Sequence, residues 1–326
     1  MRRYAVHGLR LCVQAEREEF VSGLDSLLKP FFCACHVDGP ESVLRIERGE
    51  LPKAPQVDDL RRIWSGRLDT GLEVAWFADD DRRIIEVAGL ALLRMDMPSR
   101  QAHVTVAGGP AWAVDAGCLM PALGEFLGQV GQHLVHAAAL TLDGADDGPA
   151  VIVCGPSGRG KTTTALALAH AGMRLMTDDV CFLSLEGDRT AVWGLPRACK
   201  VHARTLAMLP WLQSLPRQAA PTPNEYCILP NLPFADPRQK HRPQAVVFLD
   251  PPNSHGHALA AVDKLTALTW LSRENVRARD TRAIGPAGGT FAAISRLVRH
   301  CVLYRLSAGP DLTDLADRIR ALPASG

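Results

Sequence analysis

The sequence lacks the features that would place it in a membrane or on nucleic acid. No apolar run reaches the about 20 residues that a membrane-spanning helix needs. Lys and Arg total 36 against 35 for Asp and Glu, so neither sign of charge is in excess. This balance does not indicate a nucleic-acid or membrane partner held by bulk electrostatics. We therefore expect neither partner, and a ligand that is recognised locally.

The cysteines show neither the pairing of a disulfide framework nor the spacing of a zinc site. They are odd in number, scattered, and mostly set among apolar residues: 12, 33, 35, 118, 154, 181, 199, 227 and 301. Cys33, Cys35 and His36 could form half of a metal site, but no second Cys/His pair at zinc spacing accompanies them. Arg10 also interrupts the N-terminal run before a signal-peptide core forms. These features predict reduced thiols in a cytoplasmic protein.

The most informative stretch is an apolar run, 150–154, that breaks into a glycine loop. Gly155-Pro156-Ser157-Gly158-Arg159-Gly160-Lys161-Thr162 fits G-x-x-x-x-G-K-[ST], the phosphate-binding P-loop. A helix-forming run, 163–170, follows, so strand, loop and helix come in the required order. The candidate nucleotide-binding residues are Gly155, Ser157, Gly158, Arg159, Gly160, Lys161, Thr162 and Thr163.

The residue types in this loop match the chemistry of phosphate binding. Glycines let successive backbone amides turn inward, and the following helix adds the positive end of its dipole. Lys161 can reach the β- and γ-phosphates, and the Thr162 hydroxyl is placed to bind Mg²⁺. A glycine turn that only capped a helix would need neither side chain.

Two adjacent carboxylates, Asp178 and Asp179, follow one helix and one short strand after the loop. Asp178 comes 17 positions after Lys161, which is close to the minimum for those two elements. In a βαβ unit the second strand returns to the edge where the loop lies, so the pair is expected beside the phosphates. One carboxylate could bind Mg²⁺ and the other accept a hydroxyl proton. The sequence does not divide these roles; Thr162 and Asp179 are taken as the candidate metal ligands.

The rest of the chain divides into two regions. Residues 1–115 alternate short strand-like runs with polar turns, which predicts a mainly antiparallel β accessory or substrate-recognition domain. Residues 116–326 form the predicted α/β P-loop domain. Within it we expect a helix over 118–135, a strand over 136–142 whose Thr141 pairs with Val151, and a long loop over 216–243.

A cationic stretch follows the aspartates. If the chain is extended from residue 198 onward, Lys200, His202 and Arg204 lie on one face. Arg197 and Lys200 could neutralise charge on a transferring phosphoryl group, or they could belong to an exposed strand face.

The loop, the helix and the run Met173-Arg174-Leu175-Met176-Thr177-Asp178-Asp179 resemble the catalytic domain of HPr kinase/phosphorylase over roughly 130–320. That family has a G-x-S-G-x-G-K-[ST] loop, an "hRLhxDD" run, and a histidine before the loop that matches His136. The resemblance implies the mixed sheet shared with phosphoenolpyruvate carboxykinases. The family's N-terminal domain is not recognisable in 1–115, and Gly194-Leu195-Pro196-Arg197 replaces its glycine-rich arginine signature. The chain therefore looks more like the related kinases of peptide-tailoring pathways, including lasso-peptide kinases.

The expected activity is ATP- and Mg²⁺-dependent transfer of a phosphoryl group to a serine hydroxyl of a peptide or small protein. The candidate catalytic residues are Asp178, Asp179, Lys161, His136 and Arg197. Family members are often oligomeric, which implies a homo-oligomer. Two alternatives stay open: a P-loop ATPase or nucleotide-binding switch, and a kinase for a small metabolite.

Overall fold

The computed structural model describes residues 1–34, 40–52, 57, 59–67, 71–145, 148–220, 225–228, 232–276 and 289–323. The fold is mixed α/β with several sheets. The chain separates into two compact units, Met1–Gln132 with Arg277–Gly289, and His133–Val276 with Thr290–Gly326. The boundary of these units follows Gln132, whereas the domain division predicted from the sequence follows residue 115 and stays a prediction.

The first unit is built on an eight-stranded sheet. Its strands are β1 (Arg2–Val6), β2 (Leu9–Ala15), β3 (Ser42–Arg48), β4 (Arg61–Arg67), β5 (Glu73–Ala78), β6 (Arg82–Val87), β7 (Ala91–Asp96) and β8 (Gln101–Val106). They lie in the order β1-β2-β3-β8-β7-β6-β5-β4. Among the described strands of this sheet, only the pairs β2–β3 and β3–β8 are parallel, so the mainly antiparallel prediction is confirmed.

Sequence alternation explains which face of this sheet is buried. In β3, Leu44 and Ile46 are buried while Arg45 and Glu47 are exposed, as expected for a sheet with one face in a core. The side chain of Asp79 holds the turn between β5 and β6. Its Oδ1 accepts the backbone N–H of Asp81 at 2.9 Å and that of Arg82 at 2.6 Å.

The helices of the first unit correct one prediction. They are α1 (Ser22–Leu28), α2 (Ala111–Val114) and α3 (Met120–Gln129), with a π-helical turn, Asp115–Leu119, joining the last two. The helix predicted over 118–135 therefore ends six residues early. Gly131 has a φ of 77°, a conformation that favours glycine and ends a helix. The chain then continues as an extended strand.

The second unit follows, with twelve strands among the described residues. They are β9 (Gln132–Val135), β10 (Ala138–Thr141), β11 (Ala150–Cys154), β12 (Arg174–Thr177), β13 (Cys181–Glu186), β14 (Arg189–Gly194), β15 (Cys199–His202), β16 (Arg217–Ala219), β17 (Glu225–Ile228), β18 (Pro243–Leu249), β19 (Ala258–Ala261) and β20 (Val302–Ser307). Its helices are α4 (Lys161–His170), α5 (Ala203–Met208), α6 (Lys264–Asn275), α7 (Gly289–His300) and α8 (Leu315–Arg320).

The central sheet of this unit runs β12-β10-β11-β18-β20-β19, with β11, β18 and β20 parallel. Every residue of β11 is buried, because alternate side chains enter two apolar clusters. Val151 and Val153 belong to the cluster that includes α4 and α8. Ile152 and Cys154 belong to the cluster that includes α6 and α7. A strand buried on both faces reads as the continuous apolar run seen before the glycine loop.

Two sheet predictions are adjusted by the structure. The β10–β11 hairpin exists, but Thr141 pairs with Ala150 and Leu140 pairs with Val151, one residue from the predicted register. Strand β12 pairs antiparallel with β10 rather than with β11. It still runs parallel to β11, with β10 between them, so its carboxyl end reaches the same edge of the sheet.

The segment predicted as a long loop over 216–243 holds a small sheet in its described part. Strands β15, β17 and β16 are paired in that order, and Ile228 is buried in the core. The shortness of strands β16 and β17, three and four residues among many prolines, hid them. The same sheet corrects the cationic row, because the strand ends at His202 and Arg204 lies in α5.

Two further observations concern the cysteines and the helices. None of the described cysteines is paired in a disulfide. Over the described ranges, the structure contains no helix of the length and apolarity needed to cross a membrane.

Candidate active site

The glycine loop, residues 155–160, connects the buried end of β11 to the first residue of α4. Gly155, Gly158 and Gly160 have φ values of 153°, 78° and 96°, which residues other than glycine rarely adopt. At Gly155 an added Cβ would also lie 3.2 Å from the Leu249 Cβ. Gly160 is the N-cap of α4, and no side chain of the described residues caps this end. The first N–H groups of α4 are therefore left for a ligand, which makes the loop suited to an anion.

Lys161 lies at the start of α4 with its side chain folded over the loop. Its Nζ donates to the carbonyl oxygens of Gly155 at 2.6 Å and Pro156 at 3.3 Å. Burial lowers the pKa of Lys161, and the charge of Asp179 partly opposes that change. The ammonium is thus held beside the glycine loop by two neutral carbonyl groups, from which an anion can draw it.

Asp178, at the end of β12, lies next to Thr162. The Thr162 Oγ1 donates to Asp178 Oδ2 at 3.0 Å, and the thiol of Cys199 also contacts this carboxylate. Asp178 is only 4% exposed. Burial, together with the neighbouring charge of Asp179, raises the pKa of Asp178 to about 6, against the opposing effect of Arg197. The sequence paired Thr162 with Asp179, whereas the structure gives it Asp178 as its neighbour.

Asp179 contacts different partners, the side chains of His136 and Arg197. Its Oδ1 lies 3.2 Å from His136 Nδ1, and its Oδ2 lies 3.6 Å from Arg197 Nη1. Burial alone would raise the pKa of Asp179, but the hydrogen bond from His136 and the charge of Arg197 outweigh it and lower the pKa to about 2. Because of this low pKa the Asp179 carboxylate is ionised at neutral pH. Its side chain is 41% exposed and therefore accessible to a substrate.

His136 lies in the connection between β9 and β10, two residues before the strand in which the sequence placed it. Its backbone N–H donates to the Oδ1 of Asn275 at 2.7 Å, a residue of α6 that the sequence did not indicate. One signal was present: Asn275 comes one turn after Leu271, on the buried face of an amphipathic helix. A polar residue at such a position needs a partner inside the protein.

Several predicted residues lie outside this cluster. Ser157 and Arg159 are exposed on the loop, and the Thr163 hydroxyl bonds to that of Thr205 at 2.9 Å. Lys200 and His202 do share a face, where both approach the buried carboxylate of Glu225, at 3.5 Å and 3.4 Å.

The predicted metal features have separate outcomes. Cys35 and His36, half of the alternative metal site, lie outside the described residues. Among the residues that are described, no cluster of three or more His, Cys, Asp or Glu side chains could hold a metal ion. Mg²⁺ does not require such a cluster, because phosphate oxygens and water supply most of its ligands beside one or two carboxylates.

Comparisons with known proteins add little to this geometry. No family model matches the chain, and no curated protein matches it significantly. Among solved structures, the Hpr(Ser) kinase/phosphatase from Coxiella burnetii matches 40% of this chain and 78% of its own, at 19% identity and a TM-score of 0.24. A likeness at that score carries no argument, so function is argued from the contacts described above.

Proposed function

We propose that the protein is a kinase that transfers the γ-phosphoryl group of ATP, with Mg²⁺, to a serine hydroxyl of a peptide or small protein. The observation that carries the proposal is the opposite orientation of the two adjacent aspartates. Asp178 is buried against the Thr162 hydroxyl, and Asp179 is half-exposed against His136 and Arg197. A nucleotide-binding switch needs only the first arrangement, whereas transfer to a hydroxyl needs both.

The residues around the loop fit the binding of a nucleoside triphosphate and a divalent cation. The uncapped N–H groups of α4 and the ammonium of Lys161 would hold the β- and γ-phosphates. Thr162 and Asp178 would hold Mg²⁺, because a hydroxyl and a buried carboxylate lie side by side there. The cation would compensate the charge that burial and Asp179 make costly at Asp178. When bound, Mg²⁺ neutralises charge on the phosphate oxygens.

The exposed carboxylate, that of Asp179, would act on the acceptor hydroxyl. Asp179 would accept the proton of the serine hydroxyl, with its orientation fixed by the His136 ring. The serine oxygen forms a bond to the γ-phosphorus, the bond from that phosphorus to the bridging oxygen breaks, and ADP leaves. Arg197 lies beside the same carboxylate and would neutralise charge on the transferring group. This assignment exchanges the two aspartates relative to the metal pair chosen from the sequence.

The acceptor follows from two considerations. Asp179 is reached from solvent, so an acceptor can approach it without the protein opening. The motif resemblance to HPr-kinase-related proteins implies a serine of a peptide or small protein as the acceptor. It also implies ATP as the nucleotide.

The test uses γ-labelled ATP, Mg²⁺ and an array of serine-containing peptides. Wild-type protein should label a subset of peptides. Asp178→Asn should raise the Mg²⁺ concentration needed for half-maximal rate. Asp179→Asn should keep ATP binding but lower transfer about 100-fold or more, the typical contribution of a general base. Asp311→Asn, a change in an exposed turn of the same unit, is the matched control.

Three outcomes would replace the proposal. Phosphate release to water with no labelled peptide, at a rate that Asp179→Asn leaves unchanged, would identify an ATPase. Label on a small metabolite from a cell extract, and on no peptide, would identify a metabolite kinase. Undiminished peptide labelling by Asp179→Asn would remove this carboxylate from the reaction.

A further inference from the structure

We propose that Asn275 is a positioning residue, which holds His136 and through it the proton-accepting carboxylate of Asp179. The inference rests on the proposed function for its catalytic consequence. Its structural basis is a chain of three contacts: the carboxamide of Asn275 to the backbone of His136, the His136 ring to Asp179, and Asp179 to Arg197.

The backbone at His136 needs an external partner because the chain changes sheets there. Strand β9 belongs to the sheet β14-β13-β9, and β10 belongs to the central sheet. His136 lies between the two strands, so its N–H is in neither ladder. The Oδ1 of Asn275 accepts this N–H at 2.7 Å across a sequence separation of 139 residues. This side chain therefore meets an obligatory requirement of the backbone.

The carboxamide of Asn275 can occupy only one orientation. Its Nδ2 donates to the carbonyl oxygen of Leu271 at 2.9 Å. A flipped amide would place its NH₂ against the His136 N–H and its oxygen against the Leu271 carbonyl. Both contacts would then be repulsive. Asn275 is 9% exposed, so no bulk solvent would satisfy the groups if they were separated.

Helix α6 gives this carboxamide a rigid support. Its first turn is capped by Asp263, whose Oδ1 accepts the Thr266 N–H at 2.9 Å. Ala267 and Leu271 are buried in the apolar cluster that also contains Ile152 and Cys154 of β11. The helix that carries Asn275 is therefore fixed to the strand that carries the glycine loop. This arrangement sets His136 relative to the phosphate-binding residues.

The His136 side chain has little else to hold it. Its ring is 38% exposed, and within the described part of the chain it contacts Asp179. Loss of the Asn275 acceptor would free the backbone at His136. The His136 ring would then take up several positions relative to Asp179 instead of one. Misplacement of a catalytic group by about 1 Å can lower a rate by about 100-fold. The Asn275→Ala variant should therefore lower transfer by about 10- to 100-fold.

The experiment measures structure and rate separately. Amide hydrogen exchange at His136, followed by NMR, reports the Asn275 contact without any activity. Asn275→Ala should accelerate this exchange at least about tenfold. Asn275→Asp keeps an oxygen acceptor for the His136 N–H but places a second oxygen against the Leu271 carbonyl, so it should retain only part of the protection. Asn253→Ala is the matched control, because Asn253 Oδ1 also accepts a backbone N–H, that of His255 at 3.1 Å, in an exposed turn.

Rates then distinguish positioning from general destabilisation. With γ-labelled ATP and the serine-peptide array, Asn275→Ala should lower kcat and leave the dissociation constant of a fluorescent ATP analogue within about twofold. The double variant with His136→Ala should be no slower than His136→Ala alone, because both changes remove the same interaction. Asn253→Ala should retain the wild-type rate.

The possible failures are separable. If wild-type protein labels no peptide, the proposed function fails, and His136 exchange alone decides whether Asn275 holds this backbone. If wild-type protein transfers phosphate and Asn275→Ala does so equally fast, the positioning inference fails and the kinase proposal stands. Effects of Asn275→Ala and His136→Ala that multiply would also overturn positioning through His136.

Discussion

Asp115 offers a stability prediction in the first unit that can be worked out in detail. The residue begins the π-helical turn before α3, and its carboxylate lies against Gly23, with no room for a Cβ there. The Leu24 backbone N–H donates to it, while Oδ1 is buried with no hydrogen-bond partner among the described residues. Burial raises the pKa of Asp115 from 3.8 to about 6, and the Leu24 hydrogen bond only partly opposes this.

The direction of the pH effect follows from this raised pKa. Between pH 4 and 6 the folded protein binds more protons at Asp115 than the unfolded chain does. The free energy of unfolding therefore falls as pH rises across this window, and the loss is complete above about pH 6. A difference of roughly 2 pKa units corresponds to about 3 kcal/mol at neutral pH. Asp115→Asn removes the buried charge, keeps a carbonyl acceptor for Leu24 and adds no volume.

Urea denaturation of wild-type protein and Asp115→Asn at several pH values between 4.5 and 8 tests this reasoning. The variant should be more stable by about 2–3 kcal/mol at pH 7.5, and the difference should shrink toward pH 4.5. Asp311→Asn is the control of opposite sign, because the Thr313 hydrogen bonds lower the pKa of Asp311. A variant no more stable than wild type at pH 7.5, or a gain independent of pH, would refute the argument.

Three further predictions concern the second unit. Lys161→Met should weaken ATP binding by about 10- to 100-fold in a fluorescence titration, since charge-assisted hydrogen bonds contribute about 1.5–3 kcal/mol. Gly155→Ala should lower the free energy of unfolding by about 1–3 kcal/mol and weaken ATP binding, because φ is 153° and Leu249 lies 3.2 Å from the added Cβ. Glu225→Gln should destabilise by about 1 kcal/mol in urea, because a buried carboxylate loses its pairing with the partly exposed Lys200.

Each of these has a matched control in the same unit. Lys264→Met removes a lysine that also donates to a backbone carbonyl, that of Arg299, and should leave ATP affinity unchanged. Gly187→Ala tests positive φ alone, because nothing lies within 4 Å of its added Cβ, so ATP binding should persist. Glu186→Gln removes a carboxylate that is more than half exposed and should change stability by less. Equal effects of variant and control would contradict the corresponding prediction.

The local features of the site were predictable because short-range chemistry dictates them. The apolar run 150–154 must be buried, glycine is needed where φ is positive, and the helix predicted over 163–170 is confirmed in α4, which begins two residues earlier at Lys161. The spacing from Lys161 to Asp178 allows only one helix and one strand. Asp178 therefore had to return to the glycine loop, and its 3.0 Å contact with Thr162 confirms the placement.

The parts that were missed depend on distant segments. Residues 132–135 directly follow the helically spaced apolar residues of 119–130 but lie in β9, where the strand pairs with β13. Strands β16 and β17 were hidden because short strands acquire stability only from their neighbours. The β10–β11 hairpin also differs from the prediction by one residue in register, with Thr141 opposite Ala150.

The sequence by itself determined the glycine loop, the helix that follows it and the return of two aspartates to the same edge, since each depends on residues within about one supersecondary unit. Only the tertiary structure decided which side chains each of the two aspartates contacts. Asp178 turns toward Thr162 and Cys199, and Asp179 turns toward His136 and Arg197. It also brought Asn275 to His136 across 139 residues. Such contacts are set by the packing of whole elements, which no local pattern encodes.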